Sequence, residues 1–328
     1  MKIALLDYLS PIGHVSLINF YIKKIGSEFD QIILNQKVKK NICKNKKIKY
    51  LNFDKGIFHK ITKLYLLFKK LKNKKISKVL LLSYEPKVLF ILSFFIDLKY
   101  FNLYLLEHDN LSKKKFSKLF FIKNLSKKFI YFTYSLPAKK FLINELKKKV
   151  YFIDHPIIEK DKPELNKTKL KKINKYKTIL IPTRHHLDEY SIRKTINKYK
   201  KINFIILLKK SNFVKKLFFE YKNVIRLENI SEKDISKVGA IYLPLSDSMY
   251  GLRVSAWLYR GIAFHKKVIL NRNSLYKFEK KRFPNHITAS NFNFNKILNL
   301  KINKKKNKRF IDGYNSNHVS NLKKLLIK

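Results

Sequence analysis

The stretch Leu243-Pro-Leu-Ser-Asp-Ser-Met-Tyr-Gly-Leu252 decides the fold class of this chain. It follows an apolar run that begins at Gly239, and it precedes a helical run that ends at Gly261 and a short apolar run at Lys267–Leu270. A strand that ends in a polar turn, with a glycine where a backbone can approach a phosphate and a helix behind it, is typical of the nucleotide crevice of a parallel sheet. The stretch therefore predicts an α/β protein with a nucleotide site at the carboxyl edge of its sheet.

The rest of the chain repeats this rhythm on both sides of a polar segment. Strands are predicted at Lys2–Asp7, Gln31–Leu34, Val79–Ser83, Leu103–Glu107, Phe129–Thr133 and Val150–Ile153, and then at Thr178–Pro182, Asn203–Leu208, Asn223–Leu227, Gly239–Pro244, Lys267–Leu270 and His286–Ala289. Helical runs between short β-type runs indicate βαβ units. Residues 158–177 have almost no apolar periodicity and are typical of a linker. We expect two Rossmann-like domains, 1–157 and 178–328, the second closed by a final helix over 315–328.

The composition is strongly basic, with a net charge of +52 over 328 residues. Such a charge ordinarily indicates a nucleic acid or an anionic membrane surface as partner. The excess comes almost entirely from lysine, with 66 Lys against 8 Arg, and the same bias towards Lys, Asn, Ile and Phe is expected from an A+T-rich genome. Specific nucleic-acid readers use Arg for bidentate contacts. We therefore expect no nucleic-acid partner, and keep nucleic-acid binding only as a rival hypothesis based on charge.

The sequence indicates a cytoplasmic protein. A single cysteine, Cys43, excludes an internal disulfide and fits a reducing compartment. The apolar run Met1–Asp7 is too short for a signal peptide. The most apolar window, Val88–Leu106, is interrupted by Asp97 and Lys99, so no transmembrane helix is predicted.

Two loops of the first half carry candidate site residues. The first strand leads through Gly13 and His14 into a predicted helix, and a glycine before a helix N-terminus lets a backbone bind a phosphate. His14 is a candidate contact for a donor phosphate or an acceptor hydroxyl, although a loop histidine is more often only solvated.

The second loop begins where the strand Leu103–Glu107 ends, in the polar run Glu107-His-Asp-Asn110. Strand ends feed the ligand crevice of such sheets, so His108 and Asp109 are candidate catalytic residues. Asp109 or Glu107 is the candidate general base, because only a carboxylate or an imidazole can take a proton from an acceptor hydroxyl there. The alternative is that Asp109 or Asn110 caps the following helix.

The quoted stretch resembles the donor-binding segment of retaining GT-B glycosyltransferases of family 4. In that family a Pro-Ser turn leads to a glutamate, a Phe-Gly-Leu and a second glutamate. Pro244, Tyr250, Gly251, Leu252 and Gly261 keep the pattern. The two glutamates fall on Ser248 and Ala256, which leaves the donor sugar and the stereochemistry of the reaction open.

The resemblance implies a role for several further residues. His108 and Asp109 match a His-Asp that lies against the donor sugar, and Arg184 matches a cation that neutralises the diphosphate. The lysine that partners this arginine in the family falls here on Glu189 or Tyr190, so Lys209 or Lys210 is expected to supply the second charge. The implied donor-binding segment consists of Asp247, Ser248, Tyr250, Gly251 and Leu252.

The implied function is transfer of a sugar from a nucleotide-diphosphate sugar to a saccharide or lipid-linked saccharide acceptor in surface-glycan synthesis. The implied site is a cleft between the two domains, without cofactor or catalytic metal; His185 and His186 have no further ligand at metal spacing. The run Leu270–Tyr276 also weakly resembles an inverting N-acetylfucosaminyl-lipid transferase family. The leading rival is a catalytically inactive GT-B relative that acts as a binding partner.

Two basic amphipathic segments predict a peripheral membrane position. Ile61, Leu64, Tyr65, Phe68 and Leu71 recur at helical spacing among lysines that include Lys69, Lys70 and Lys72, and the segment Phe116–Lys123 is similar. Basic faces beside apolar stripes suit an anionic leaflet. The alternative is that each stripe faces the protein core and its lysines are only solvated.

Overall fold

The computed structural model describes residues 2–11, 14–53, 56–107, 110–111, 116–158, 177–182, 188–208, 218–228, 230–245, 255–272 and 274–327. The chain divides into two compact units. The first comprises Met1–Lys160 and Tyr314–Lys328, and the second comprises Asp161–Gly313.

The first unit is built on a parallel sheet that, over the described residues, has seven strands in the order β3-β2-β1-β4-β5-β6-β7. In chain order these are β1 (Lys2–Asp7), β2 (Gln31–Asn35), β3 (Ile48–Leu51), β4 (Ile76–Ser83), β5 (Asn102–Glu107), β6 (Ile130–Thr133) and β7 (Lys149–Phe152). The helices between them are α1 (Val15–Ile25), α2 (Ile57–Asn73), α3 (Pro86–Leu92), α4 (Phe116–Asn124) and α5 (Leu136–Asn144). The central strands are apolar on successive residues because helices cover both faces of a parallel sheet.

The second unit repeats this plan with a parallel sheet of six strands, counted over the described residues, in the order β10-β9-β8-β11-β12-β13. Its strands are β8 (Thr178–Ile181), β9 (Asn203–Leu207), β10 (Val224–Leu227), β11 (Ala240–Leu243), β12 (Lys267–Leu270) and β13 (Ile287–Ala289). Its helices are α6 (Glu189–Lys198), α7 (Glu232–Lys237), α8 (Ala256–Ala263), α9 (Ser274–Arg282) and α10 (Phe294–Asn299). On one face of the sheet, the Phe294 ring stacks on Tyr199 and meets Tyr242 edge-on, with ring centroids 4.7 and 5.4 Å apart.

The two parallel sheets with interleaved helices confirm the predicted α/β class, and each predicted strand has a counterpart. The strand β3 was not predicted. It lies at the edge of its sheet with every residue partly or fully exposed, and three of the four residues before it are lysines. A short, lysine-rich edge strand lacks the continuous apolar run that reveals the central strands.

The final helix, α11 (Lys304–Ile327), differs from the prediction, which placed it wholly in the second domain. Its residues from Tyr314 onward group with the first unit. The Asn315 side chain accepts from the backbone N–H of Ile157 at 2.9 Å and donates to its carbonyl at 2.7 Å. The buried Lys78 ammonium donates to the Leu326 carbonyl at 2.7 Å, and a cation at this end also complements the helix dipole.

Helix α2 directs its apolar stripe inward, which is the alternative stated for this segment. Ile61, Leu64, Phe68 and Leu71 are buried in the first unit, and only Tyr65 of the five stripe residues is exposed. The stripe therefore belongs to the core and cannot itself enter a membrane. In the described parts of the chain, none of the helices combines the length and the apolar character needed to span a bilayer.

We expect Gly261→Ala to lower the free energy of unfolding by about 1–3 kcal/mol. A methyl group there would lie 2.6 Å from Val268 Cγ2 and 3.2 Å from Ile241 Cδ1, both in the buried strands that α8 packs on. Denaturant unfolding measures the loss. Gly313→Ala in α11 is the matched control, because no heavy atom lies within 4 Å of its added methyl. Because alanine has a better helix propensity than glycine, this control should be more stable than wild type by up to about 1 kcal/mol. Equal changes in the free energy of unfolding of the two variants would contradict the packing argument.

A second prediction concerns His318, which is fully buried on α11 against the rings of Phe20 and Tyr21. Burial lowers the pKa of His318 to about 4, against a weaker opposing effect of Asp154. As the pH falls, the unfolded chain therefore binds a proton at His318 before the folded chain does. The contribution of neutral His318 to the free energy of unfolding should be complete above pH about 6.5. It should fall by about 3 kcal/mol as the pH falls towards 4. Urea unfolding of wild type and His318→Phe at both pH values should show a smaller acid loss in the variant; an identical loss would rule His318 out as its source.

Candidate functional site

In both sheets the chain order changes direction once, and this fixes where a ligand crevice can form. In the first sheet, β1, β2 and β3 lie side by side in chain order, and the next strand, β4, pairs with the other side of β1. In the second sheet, β8, β9 and β10 lie side by side in chain order, and the next strand, β11, pairs with the other side of β8. Loops that leave such neighbouring strands diverge to opposite faces, so ligands bind at the carboxyl ends of these strands.

Among the predicted site residues, the structure describes His14 and the candidate base Glu107. The remaining candidates are Gly13, His108, Asp109, Arg184, Lys209, Asp247, Ser248, Tyr250, Gly251 and Leu252, all of which lie outside the described residues. Their roles stay predictions, as does the arrangement in which His14 and His108 face Arg184 and Gly251 across a cleft.

The described strands nevertheless show where these residues leave the second sheet. Arg184 follows the end of β8, Lys209 follows the end of β9, and the segment that begins with Asp247 follows the end of β11. The three strands are adjacent in the order β9-β8-β11. The topology thus starts all three predicted donor segments from neighbouring strand ends at or beside the switch point, although they are far apart in the chain.

In the first sheet a carboxylate joins the two strands at the switch point. Asp7 ends β1 and is fully buried; its Oδ1 accepts from the Ser83 hydroxyl, at the end of β4, and from the Ser10 N–H at 2.7 Å. The Ser10 hydroxyl donates to the Asp7 carbonyl and accepts from the Asn35 N–H at 3.2 Å. Ser10 itself has a φ of 35°, in the left-handed region that non-glycine residues rarely adopt. These bonds fix the loop that leads to Gly13 and His14.

His14 occupies the cap position before α1, and its N–H donates to the Pro11 carbonyl at 2.8 Å. Burial raises the pKa of Asp7, and the nearby His14 imidazole is the largest of the effects that oppose this rise. The loop therefore places a basic side chain and a helix N-terminus together at the carboxyl edge of the sheet. The contact of His14 with a phosphate or a hydroxyl stays a prediction.

A second buried network fixes the start of the loop that carries His108 and Asp109. The Glu107 carboxylate accepts from the Tyr84 hydroxyl, and from the Asn110 N–H at 2.7 Å. The Asn110 amide group also donates to the Tyr84 carbonyl at 3.3 Å and accepts from Lys118 Nζ at 2.9 Å. Burial and the neighbouring Glu107 carboxylate raise the pKa of Tyr84 well above its ordinary value.

These bonds occupy both oxygens of Glu107, so the carboxylate holds the turn together. Of the two candidate general bases, Glu107 would have to give up this network to take a proton. Asp109 therefore remains the candidate base of the loop.

In the second unit, the residues around the predicted donor segment are also tied together. The Tyr242 hydroxyl on β11 donates to Asn271 Oδ1, just after β12, at 3.2 Å, and burial raises the pKa of Tyr242 to about 12. The Leu245 N–H donates to the Leu243 carbonyl at 2.9 Å, which begins the polar turn. The segment 246–252 thus leaves a firmly held strand end.

Helix α6 begins directly after the Arg184 segment. Asp188 caps it by accepting from the Ser191 N–H at 3.0 Å and from the Ser191 hydroxyl at 2.7 Å. Glu189, at one of the two positions where the family has a lysine, pairs with Arg193 at 2.7 Å. Lys209 or Lys210 therefore stays the prediction for the second cation of the predicted diphosphate site.

The residues that brace these loops, above all Asp7, Ser83 and the Tyr242–Asn271 pair, were not predicted from the sequence. A signal existed for the first two, because Asp7 and Ser83 each end an apolar strand with a polar side chain. Among the described residues, no cluster of three or more His, Cys, Asp or Glu side chains could hold a metal ion.

Neither the protein-family models nor the curated proteins contain a match to this chain. Solved structures match over nearly the whole chain at low identity. A glycosyltransferase from Rickettsia africae is 14% identical, with a TM-score of 0.57 over 98% of this chain and 93% of its own. Anabaena HepE in complex with UDP and glucose is 13% identical, with a TM-score of 0.60 over 99% of this chain and 100% of its own.

The UDP-GlcNAc 2-epimerase from Neisseria meningitidis, solved with UDP-GlcNAc bound, is 14% identical, with a TM-score of 0.55 over the full length of both chains. Together with the two parallel sheets, these likenesses show that the chain has the two-domain GT-B fold. The resemblance to family 4 in particular stays a prediction.

We expect Tyr84→Phe to lower the free energy of unfolding of the first unit by about 1.5–3 kcal/mol, because the buried Glu107 carboxylate loses a hydroxyl donor. Tyr134→Phe is the matched control: it removes one hydroxyl of the neutral, buried Tyr21–Tyr134 pair, whose oxygens lie 2.8 Å apart, and should cost about 1 kcal/mol. Chemical denaturation of both variants provides the comparison. A smaller loss for Tyr84→Phe than for Tyr134→Phe would show that Glu107 does not depend on this bond.

Proposed function

We propose that this protein is a glycosyltransferase that moves a sugar from a nucleotide-diphosphate sugar to a saccharide or lipid-linked saccharide acceptor. One observation carries the proposal: in a GT-B fold, the segments with Arg184, Lys209 and Asp247–Leu252 all follow strands at the switch point of the second sheet. Two of the structural relatives were solved with UDP or a UDP-sugar bound, which supports a nucleotide-sugar donor for this chain.

The proposed reaction needs a base and a stabilised leaving group. An acceptor hydroxyl oxygen attacks the anomeric carbon while the bond from that carbon to the diphosphate oxygen breaks. In an inverting reaction, Asp109 takes the hydroxyl proton, while His108 lies against the donor sugar. Arg184 and Lys209 balance the charge that develops on the diphosphate, which makes a metal or other cofactor unnecessary in this mechanism.

The acceptor and the place of action are part of the same proposal. A lipid-linked precursor of a surface glycan would hold the enzyme at the inner face of the cytoplasmic membrane, as a peripheral protein attracted by its lysines. Nucleic acid is not a partner in this scheme.

Two rivals are open to the same experiment. The first rival is a catalytically inactive GT-B relative that only binds its partner. It is favoured by Ser248 and Ala256, which occupy the positions of the two glutamates of the retaining enzymes. The epimerases among the structural relatives favour a reaction on the sugar nucleotide alone. A thermal-shift screen against UDP-, GDP-, TDP- and CMP-sugars identifies the donor, because ligand at 100 times its Kd stabilises by about 2.7 kcal/mol.

Product analysis with the identified donor then separates these functions. Sugar transferred to a saccharide acceptor supports the proposal, an isomerised donor formed without acceptor supports an epimerase, and binding without turnover supports the inactive relative. If no sugar nucleotide shifts the melting temperature, the proposal is wrong.

For the transferase we expect Arg184→Ala to lower kcat/KM, mainly through kcat. The decrease should correspond to about 2–4 kcal/mol of lost transition-state stabilisation. The charge removed balances the departing diphosphate. Steady-state kinetics with the identified donor measures the effect, and Arg309→Ala, an exposed arginine on α11, is the control that should change nothing. Unchanged kinetics in Arg184→Ala would remove this residue from the site.

A further inference from the structure

A group of phenylalanine side chains lies on the surface of the first unit, outside the predicted site. Phe94 and Phe95, just after α3, are 71% and 61% exposed, and Phe120 on α4 is 59% exposed. Two half-buried rings connect Phe94 with Phe120: Phe90 lies 5.2 Å from Phe94 and 5.6 Å from Phe121, and Phe121 lies 5.5 Å from Phe120, by ring centroids. Phe95 follows Phe94 directly in the chain. We call these five residues the phenylalanine patch. Monomeric proteins rarely expose contiguous apolar patches without a binding role.

The backbone holds the exposed rings in place. The last turn of α3 is closed by bonds from the Phe94 N–H to the Ile91 carbonyl, at 3.2 Å, and from the Phe95 N–H to the Leu92 carbonyl, at 2.9 Å. Helix α3 packs against α2 on one side and α4 on the other, so the patch lies across a packed layer of helices.

The charges around the patch are positive. Lys87 precedes Phe90 by one helical turn on α3, and Lys123 follows Phe120 by one turn on α4; both lysines are exposed. The carboxylates described near this layer are already engaged: Asp97 pairs with Lys72 at 2.9 Å, and Glu85 pairs with Lys60 at 2.7 Å. Glu107 is buried. The rim therefore offers cations to a negatively charged partner.

We propose that the phenylalanine patch is a docking surface for an anionic phospholipid bilayer, with its rings among the headgroups and its lysines at the phosphates. The inference rests on the membrane-bound acceptor in the proposed function, and it moves the contact from the α2 stripe, which is buried, to the α3–α4 surface. A second copy of this chain fits poorly, because two surfaces of a protein with a net charge of +52 repel each other.

The chemistry of the patch favours a bilayer over a protein or a nucleic acid. The phenylalanine ring suits the apolar boundary below the headgroups, with basic side chains beside it at the phosphates. Lysine is a compact charge on a flexible stem, which fits a fluid layer of phosphates better than the directed contacts of arginine do.

The test is flotation of the full chain with vesicles of phosphatidylcholine containing phosphatidylglycerol, and with phosphatidylcholine alone, at about 150 mM salt. Wild type should float with the anionic vesicles and far less with the neutral ones. The variant Phe94→Ser/Phe95→Ser/Phe120→Ser should lose at least about tenfold in the partition coefficient, since three apolar rings no longer leave water on binding.

A matched control comes from the second unit, where Phe219, Phe292 and Leu300 are 71%, 54% and 53% exposed. The triple serine variant of these three should float within about twofold of wild type. Both variants should keep the wild-type melting temperature and the same affinity for the sugar nucleotide, measured by calorimetry. Because calorimetry measures sugar-nucleotide binding independently of vesicle binding, a failure of the docking proposal can be distinguished from a failure of the proposed donor site.

A second readout uses tryptophan fluorescence. The chain has a single tryptophan, Trp257, in the second unit. In Phe120→Trp, brominated anionic lipid should quench emission clearly more than it does in wild type.

Three outcomes would overturn the proposal. The first is wild-type flotation that the patch variant retains, or no flotation of wild type at all. The second is equal quenching in Phe120→Trp and wild type. The third is a patch variant whose vesicle binding is unchanged but which has lost another interaction. Lost self-association in sedimentation velocity would assign the patch to a second copy of the chain, and lost binding of single-stranded DNA would assign it to nucleic acid.

Discussion

The parallel pairing of β8 with β11, and of β1 with β4, is the constraint on which the rest of the structure depends. In each sheet the chain completes one side before it starts the other, so these pairs join strands that are distant in sequence. Loops leaving the two strands must turn to opposite faces, and the space between them is where a parallel α/β sheet binds ligands. The bracing carboxylate of Asp7, which bonds Ser83 across the first pair, stabilises one of these edges.

Buried polar groups hold parts of this edge in both units. The network of Glu107, Tyr84 and Asn110 holds the start of one candidate loop, and the bond from Tyr242 to Asn271 ties the strand ends beside another. A buried polar group is costly unless it is bonded, so such networks hold a backbone in one arrangement. Candidate site residues on loops that leave fixed strand ends can meet a ligand with little loss of conformational entropy.

The final helix shows how a contact distant in sequence sets a domain boundary. Lys78 lies inside a strand of the first sheet, where burying a charge is costly, and its ammonium donates to the Leu326 carbonyl near the end of α11. With Asn315 bonded to Ile157 and Lys323 paired with Glu28 at 2.7 Å, the end of the chain becomes part of the first unit. A pattern of apolar residues along α11 reveals a helix but does not reveal its partner.

The sequence by itself determined the α/β class, the alternation of strands and helices and the strand ends from which the candidate residues leave, because burial on both faces gives parallel strands continuous apolar runs. Twelve of the strands described here were predictable in this way, and the half-exposed edge strand β3 was not. Only the tertiary structure decided the order of the strands, the inward direction of the α2 stripe, the structural use of Glu107 and the exposure of Phe94 and Phe120. The physical reason is that local sequence fixes backbone preference and hydrophobic period, whereas the neighbour that covers a face or binds a carboxylate comes from a distant part of the chain.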